Sequence, residues 1–196
     1  MKKPTLALSL IAAFFCVSLC ASPDALAQPK RQAQTPAEQR ALLGKDVLDT
    51  IARYRKADPD LERFFKDSLG YVVFPRIGKV GFIIGGGHGI GEVHEKGNLI
   101  GTAGITLATV GLQVGAQEFS EIIFFRDAAA LDRFKQNKFE FTVNVSAVIV
   151  KAGASAGANY RDGIAVFTQP TGGAMVEAAL GTQKFSFSAE TADAKK

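Results

Sequence analysis

The residues best suited to bind a metal are His88, Glu92 and His94, in the pattern His-x3-Glu-x-His. They share parity on one predicted strand, where alternate side chains lie about 7 Å apart. The outer pair is then too far apart to chelate one ion, so no metal site is expected. The glycine cluster 85–91 suggests a phosphate cradle, but Glu92 stands where G-x-G-x-x-G needs its third glycine. The G-x-x-x-x-G-K-[ST] pattern is absent too, and more strand follows where a phosphate loop needs a helix N-terminus. The serines 120, 146, 155, 186 and 188 lie outside G-x-S-x-G, so no catalytic residue, cofactor or enzymatic activity is expected, and a hydrolase whose site carries no local signature is the last alternative.

Paired cations are the remaining candidates. Arg76 and Lys79 open a strand-rich stretch, and Arg161 follows Tyr160. As exposed cations they suit lipid phosphate. Arg53, Arg55 and Lys56 join them because charge bias is local. Residues 30–66 carry nine Lys/Arg against six Asp/Glu, whereas 67–196 are balanced at twelve each. There is no basic stripe interleaved with aromatics, which argues against a nucleic-acid partner. The local excess biases residues 30–66 modestly towards anionic partners, and an envelope protein is the alternative partner.

These side chains must be positioned by elements that the pattern outlines. Thr35-Pro36-Ala37-Glu38 is a capping box that starts a helix. Leu43, Val47, Ile51 and Tyr54 share its inner face, with Leu48 beside them, and Asp49 is spaced to pair with Arg53. Asp58-Pro59 starts a second helix with Leu61, Phe64 and Phe65 inward, and Gly70 is its expected C-cap. Glu95-Lys96-Gly97-Asn98 reads as a hairpin turn. Asp127 caps one short inserted helix that buries Leu131 and Phe134. Residues 139–149 alternate as a half-buried strand, and the tiny side chains of 151–159 suit a close backbone approach. Segments 163–168, 174–180 and 184–188 complete about eleven short antiparallel strands.

The expected fold is α+β and mainly β: a closed or nearly closed barrel-like sheet, two N-terminal helices and one inserted helix. Residues 35–188 form the single expected domain. Before it come a signal peptide over 1–27, with Ala25-Leu26-Ala27 as its cleavage site, and a polar leader over 28–34. A polar tail, 189–196, follows. Cleavage after Ala27 removes both cysteines and implies a periplasmic or secreted protein. Lipidation at Cys20 is the alternative, with Leu19 large for the preceding position.

The run Val72-Val73-Phe74-Pro75-Arg76-Ile77-Gly78-Lys79-Val80-Gly81-Phe82-Ile83-Ile84-Gly85-Gly86 resembles the SYLF domain family. Gln113-x-Gly115-x-Gln117, the following Ile122-Ile123-Phe124-Phe125, and Asn159-Tyr160-Arg161-x-Gly163-Ile164 continue the resemblance. It covers roughly residues 40–188. It departs after Gly97, where the family often has a Trp and a Pro and this chain has Leu99 and Thr102. The resemblance implies lipid binding. Eukaryotic members bind phosphoinositide-containing membranes and some bind actin filaments, so recognition of anionic phospholipid is the transferable part.

Overall fold

The structure is a computed structural model that describes residues 34–137, 140–142 and 147–190. The expected signal peptide, most of the leader and most of the tail lie outside the described residues, as does the middle of the 139–149 strand.

Helix α1 runs Pro36–Ala57. Its capping box forms as the sequence predicts: Glu38 N–H donates to Thr35 Oγ1 at 3.2 Å, and Thr35 N–H donates to Glu38 Oε2 at 2.8 Å. Val47, Thr50, Ile51 and Tyr54 are buried, while Leu48 is exposed. The buried Asp58 carboxylate ends α1 and starts a 3-10 turn, Pro59–Leu61, by accepting from Asp60 N–H. It also accepts from Ser155 N–H at 2.7 Å, which ties the 151–159 loop to the helices. Helix α2, Glu62–Asp67, follows, and its C-cap is Ser68. Gly70 is already strand, a correction to its expected capping role. Helix α3, Ala128–Lys135, is capped by Asp127 and buries Leu131 and Phe134, as expected.

The strands are β1 (Gly70–Gly81), β2 (Ile84–Glu95), β3 (Asn98–Phe125), β4 (Glu140–Thr142), β5 (Ala147–Ile149) and β6 (Ile164–Ala189). They form one open, mixed, six-stranded sheet in the order β1-β2-β3-β6-β4, with β5 parallel to β6. Strand β3 pairs with β2 through its first half and with β1 through its second, and β6 runs antiparallel to it from Gly101↔Ala189 to Phe125↔Ile164. The Lys96-Gly97 turn joins β2 to β3, with both residues at positive φ.

The eleven-strand closed barrel is therefore corrected in two respects. Strand number falls because glycines read as strand boundaries lie inside long strands: β3 has 28 residues and β6 has 26. Closure is not seen: the path beyond β6 ends in β4 and β5, which among the described residues pair only with β6. The 151–159 segment forms turns, not a strand corner.

Two apolar layers sandwich the sheet. Ile122 and Phe124 face one side with Val47, Tyr54, Phe64 and Phe167. Ile123 and Phe125 face the other with Phe74, Ile105, Leu131, Phe134 and Phe185. That is why the run 122–125 is apolar at every position rather than at alternate ones.

Candidate functional site

The six predicted cations do not form one site. Arg53 is exposed, and its Nη2 donates to Thr50 Oγ1 at 3.2 Å and to Ser120 Oγ at 3.3 Å. Asp49 pairs with Lys45 at 2.8 Å instead of with Arg53. Arg55 bonds Glu62 at 2.9 Å and lies over the Phe65 ring at 4.5 Å. Lys56 is exposed on the last turn of α1. Arg76 is bound to Asp46 at 2.5 Å. Lys79 is 4% exposed, inside the sheet's inner face. Arg161 is exposed in the turn before β6. Arg53 and Arg76 share a cavity of about 380 Å3, and Asp46, Asp49 and Glu118 line it too. Acids outnumber cations there, so it is a poor anion cradle.

The His-Glu-His pattern is also split. His94 Nε2 lies 3.3 Å from Glu92 Oε2, and its ring stacks on Tyr71 at 5.0 Å. His88 is exposed further along β2. Among the described residues no three ligands are grouped to hold a metal.

What the sequence reasoning missed lies at the far end of the sheet, where the β1–β2 turn meets the middle of β3. Phe82 is 66% exposed and Ile84 75%, with Val80 and Ile83 exposed beside them. Val110, Leu112 and Val114 are exposed next to them on β3. The polar groups of this end turn inward. Gly111 N–H donates to Ile83 O and Gln113 N–H donates to Phe82 O, each at 2.9 Å. The Gln113 side chain is fully buried and accepts from Thr109 Oγ1 at 2.8 Å. Its space exists because Gly81 and Gly85 have no side chains; a Cβ on either would lie 2.6 Å or less from Gln113.

The alternation here is inverted: apolar residues point out and small or polar ones point in. The backbone carbonyls of the turn are satisfied within the fold. A surface of this kind suits hydrocarbon, where an unpaired backbone group costs several kcal/mol. One signal could have revealed it. No Asp, Glu, Lys or Arg stands between Lys96 and Glu118, and none but His88 titrates between Lys79 and Glu92.

Residues 106–194 match the Ysc84 (SYLF) family. The family is described as "Las17-binding protein actin regulator". It is the family that the glycine-rich motifs resemble, although the match begins at Thr106 and leaves out β1, β2 and the start of β3. The matched SYLF segment includes the apolar bend of β3 and all of β6. No curated protein matches the chain.

Proposed function

We propose that this SYLF-type domain is a non-catalytic phospholipid-binding domain of the periplasm or cell envelope. It docks on a bilayer through the uncharged end of its sheet. The observation that carries the reading is the apolar surface around Phe82 and Ile84, with its backbone bonded inward. Full burial of one large apolar side chain contributes about 1.5–3 kcal/mol, so a few inserted side chains offset the cost of immobilisation. The excess of Lys/Arg over residues 30–66 favours anionic headgroups as a smaller term, at about 1 kcal/mol per exposed cation near the surface.

Vesicle sedimentation tests this. Wild-type protein is expected to bind phosphatidylglycerol vesicles and, more weakly, phosphatidylcholine vesicles. The double substitution Phe82→Asp, Ile83→Asp should abolish binding to both without lowering the unfolding midpoint, because these side chains support no core. Arg53, Arg55 and Lys56 end α1 beside α2 and not at the apolar end, so they act only through long-range attraction: their charge reversal should weaken phosphatidylglycerol binding modestly, and more so at low salt. Unchanged binding by the Phe82/Ile83 variant would sink the docking surface. Failure of folded wild-type protein to bind any vesicle would leave protein interaction, as in the family's Las17-binding description, as the better reading. Location has its own check. The intact mass of exported protein should correspond to a chain starting at Gln28, and a diacylglycerol adduct on Cys20 would contradict that.

A further inference from the structure

A second concavity lies at the other end of β3, where Phe125 leaves the sheet. It encloses about 400 Å3 between α2, the turn at Arg126 and the loop at 158–160. Gln113, at the apolar end, is twelve residues away, about 40 Å of extended strand. Arg63 and Arg126 line this cavity with Asp67, Asn159 and Tyr160. Asn159-Tyr160 is a motif that the lipid-docking surface leaves unexplained.

Three observations make it a built site. First, Arg63 is locked in place. Its Nη2 donates to the carbonyls of Ser155 and Ala158, both at 2.6 Å, and its guanidinium lies 4.7 Å from the Phe64 ring centroid. Those bonds engage Nη2 alone and hold a fixed positive charge at the wall. Second, the Tyr160 hydroxyl is buried and makes no hydrogen bond among the described residues. A bare buried hydroxyl costs free energy unless a ligand or water supplies a partner. Third, its electrostatic neighbours are those of the pocket. Burial pushes the Tyr160 phenol up to about 12, Asp67 adds to that, and Arg126 and Arg63 oppose it.

We infer that this pocket binds a soluble phosphate monoester of a small polyol. Arg63, Arg126 and Tyr160 line the pocket from three separate parts of the chain: α2, the turn after β3 and the loop before β6. A tetrahedral phosphate offers acceptor oxygens to all three, whereas a planar carboxylate does not. Asp67 accepts only and repels a bare anion, but it is the right partner for a hydroxyl next to the phosphate. Asn159 supplies a second partner for hydroxyls. The position, remote from the apolar end, places the pocket away from a docked bilayer and favours a free ligand over a lipid headgroup.

Glycerol 3-phosphate is the probe, titrated into full-length protein and followed by ligand-induced thermal shift and by the amide signals of 158–160. Saturable binding is expected, with glycerol inert and inorganic phosphate weaker. Arg126→Gln should weaken it about tenfold or more, the loss of one charge-assisted hydrogen bond. Tyr160→Phe should weaken it severalfold while leaving the unliganded midpoint unchanged or raised, since the hydroxyl has no partner to lose and its removal relieves a buried polar group. Lys96→Gln, in the β2–β3 turn and outside the pocket lining, is the control. Absence of saturable binding up to about 10 mM, a concentration that would reveal even millimolar affinity, overturns the proposal. So does equal affinity in all variants. Vesicle binding identifies the source of the phosphate. An Arg126→Gln variant that still sediments with phosphatidylglycerol vesicles supports a soluble ligand. One that loses vesicle and probe binding in parallel points to a headgroup and overturns that assignment.

Discussion

Replacing Gly91 with alanine is expected to lower the unfolding midpoint by about 6–12 °C, the equivalent of roughly 3 kcal/mol in a domain of this size. Gly91 lies in β2, and a Cβ there would collide with the Val73 carbonyl oxygen and stand 2.8 Å from Phe74 Cδ1. Both obstacles are fixed. The carbonyl belongs to the β1 backbone, and the Phe74 ring is fully buried. β1 must therefore shift, and it pairs with both β2 and β3. Gly78 provides the internal comparison. It sits on an exposed face of β1 with nothing within 4 Å of an added Cβ. Alanine there should be neutral or raise stability by about 0.4–1 kcal/mol, by restricting the unfolded chain. Thermal scans of the two variants decide the matter, and equal midpoints would refute the crowding argument.

The second large effect depends on pH. Glu121 is fully buried in β3, where its Oε2 accepts from Gln183 Nε2 at 3.1 Å. Burial pushes its pKa up to about 7, with the Gln183 bond opposing. Among the described residues, Oε1 of Glu121 and Oε1 of Gln183 have no partner. A proton on Glu121 gives the carboxyl one donor and one acceptor, the complement of a carboxamide. The folded pKa lies above the unfolded one, so between about 4.5 and 7 the native state holds more protons. Stability from this group is full below the lower value and is lost as pH rises through the higher one. The loss amounts to about 3 kcal/mol. Urea unfolding at pH 5 and pH 8 should show it as a difference between wild type and Glu121→Gln, with the variant gaining relative stability at pH 8. Parallel pH profiles for the two proteins would show that Glu121 carries no such shift.

Helices were legible because their signals are local. Thr35-Pro36-Ala37-Glu38 and Asp127 specify helix starts through bonds spanning three residues, and Leu131 and Phe134 follow at helical spacing. The Lys96-Gly97 turn was legible for the same reason. Strand number and closure were not, because a glycine in a strand reads the same whether it ends the strand or makes room for a neighbour. Gly81 and Gly85 yield space to Gln113, nearly thirty residues further on, which no local pattern encodes. The predicted cations lie apart for a related reason. Arg55, Arg76 and Lys45 sit near acids that only α1 and its neighbours bring within reach, so a local charge excess became separate ion pairs. The apolar end was visible in sequence as an uncharged run, yet its inverted alternation makes sense only once inside and outside are known.

The long β3–β6 pairing has a kinetic consequence. The β1–β2 and β2–β3 ladders join neighbours in sequence and close small loops. β6 instead joins residues separated by the whole 126–163 segment, and by more towards Gly101↔Ala189. Its contact order is high, and the entropy of loop closure must be met before its contacts repay it. The β1–β3 meander should therefore assemble early. β6 should add last, on the millisecond-to-second scale typical of non-local sheets. Until it does, β3 presents an unpaired edge of more than twenty residues, among them Val110, Leu112 and Val114. In that interval the nascent molecule is most exposed to self-association, and a chaperone that shields a bare strand edge would act there.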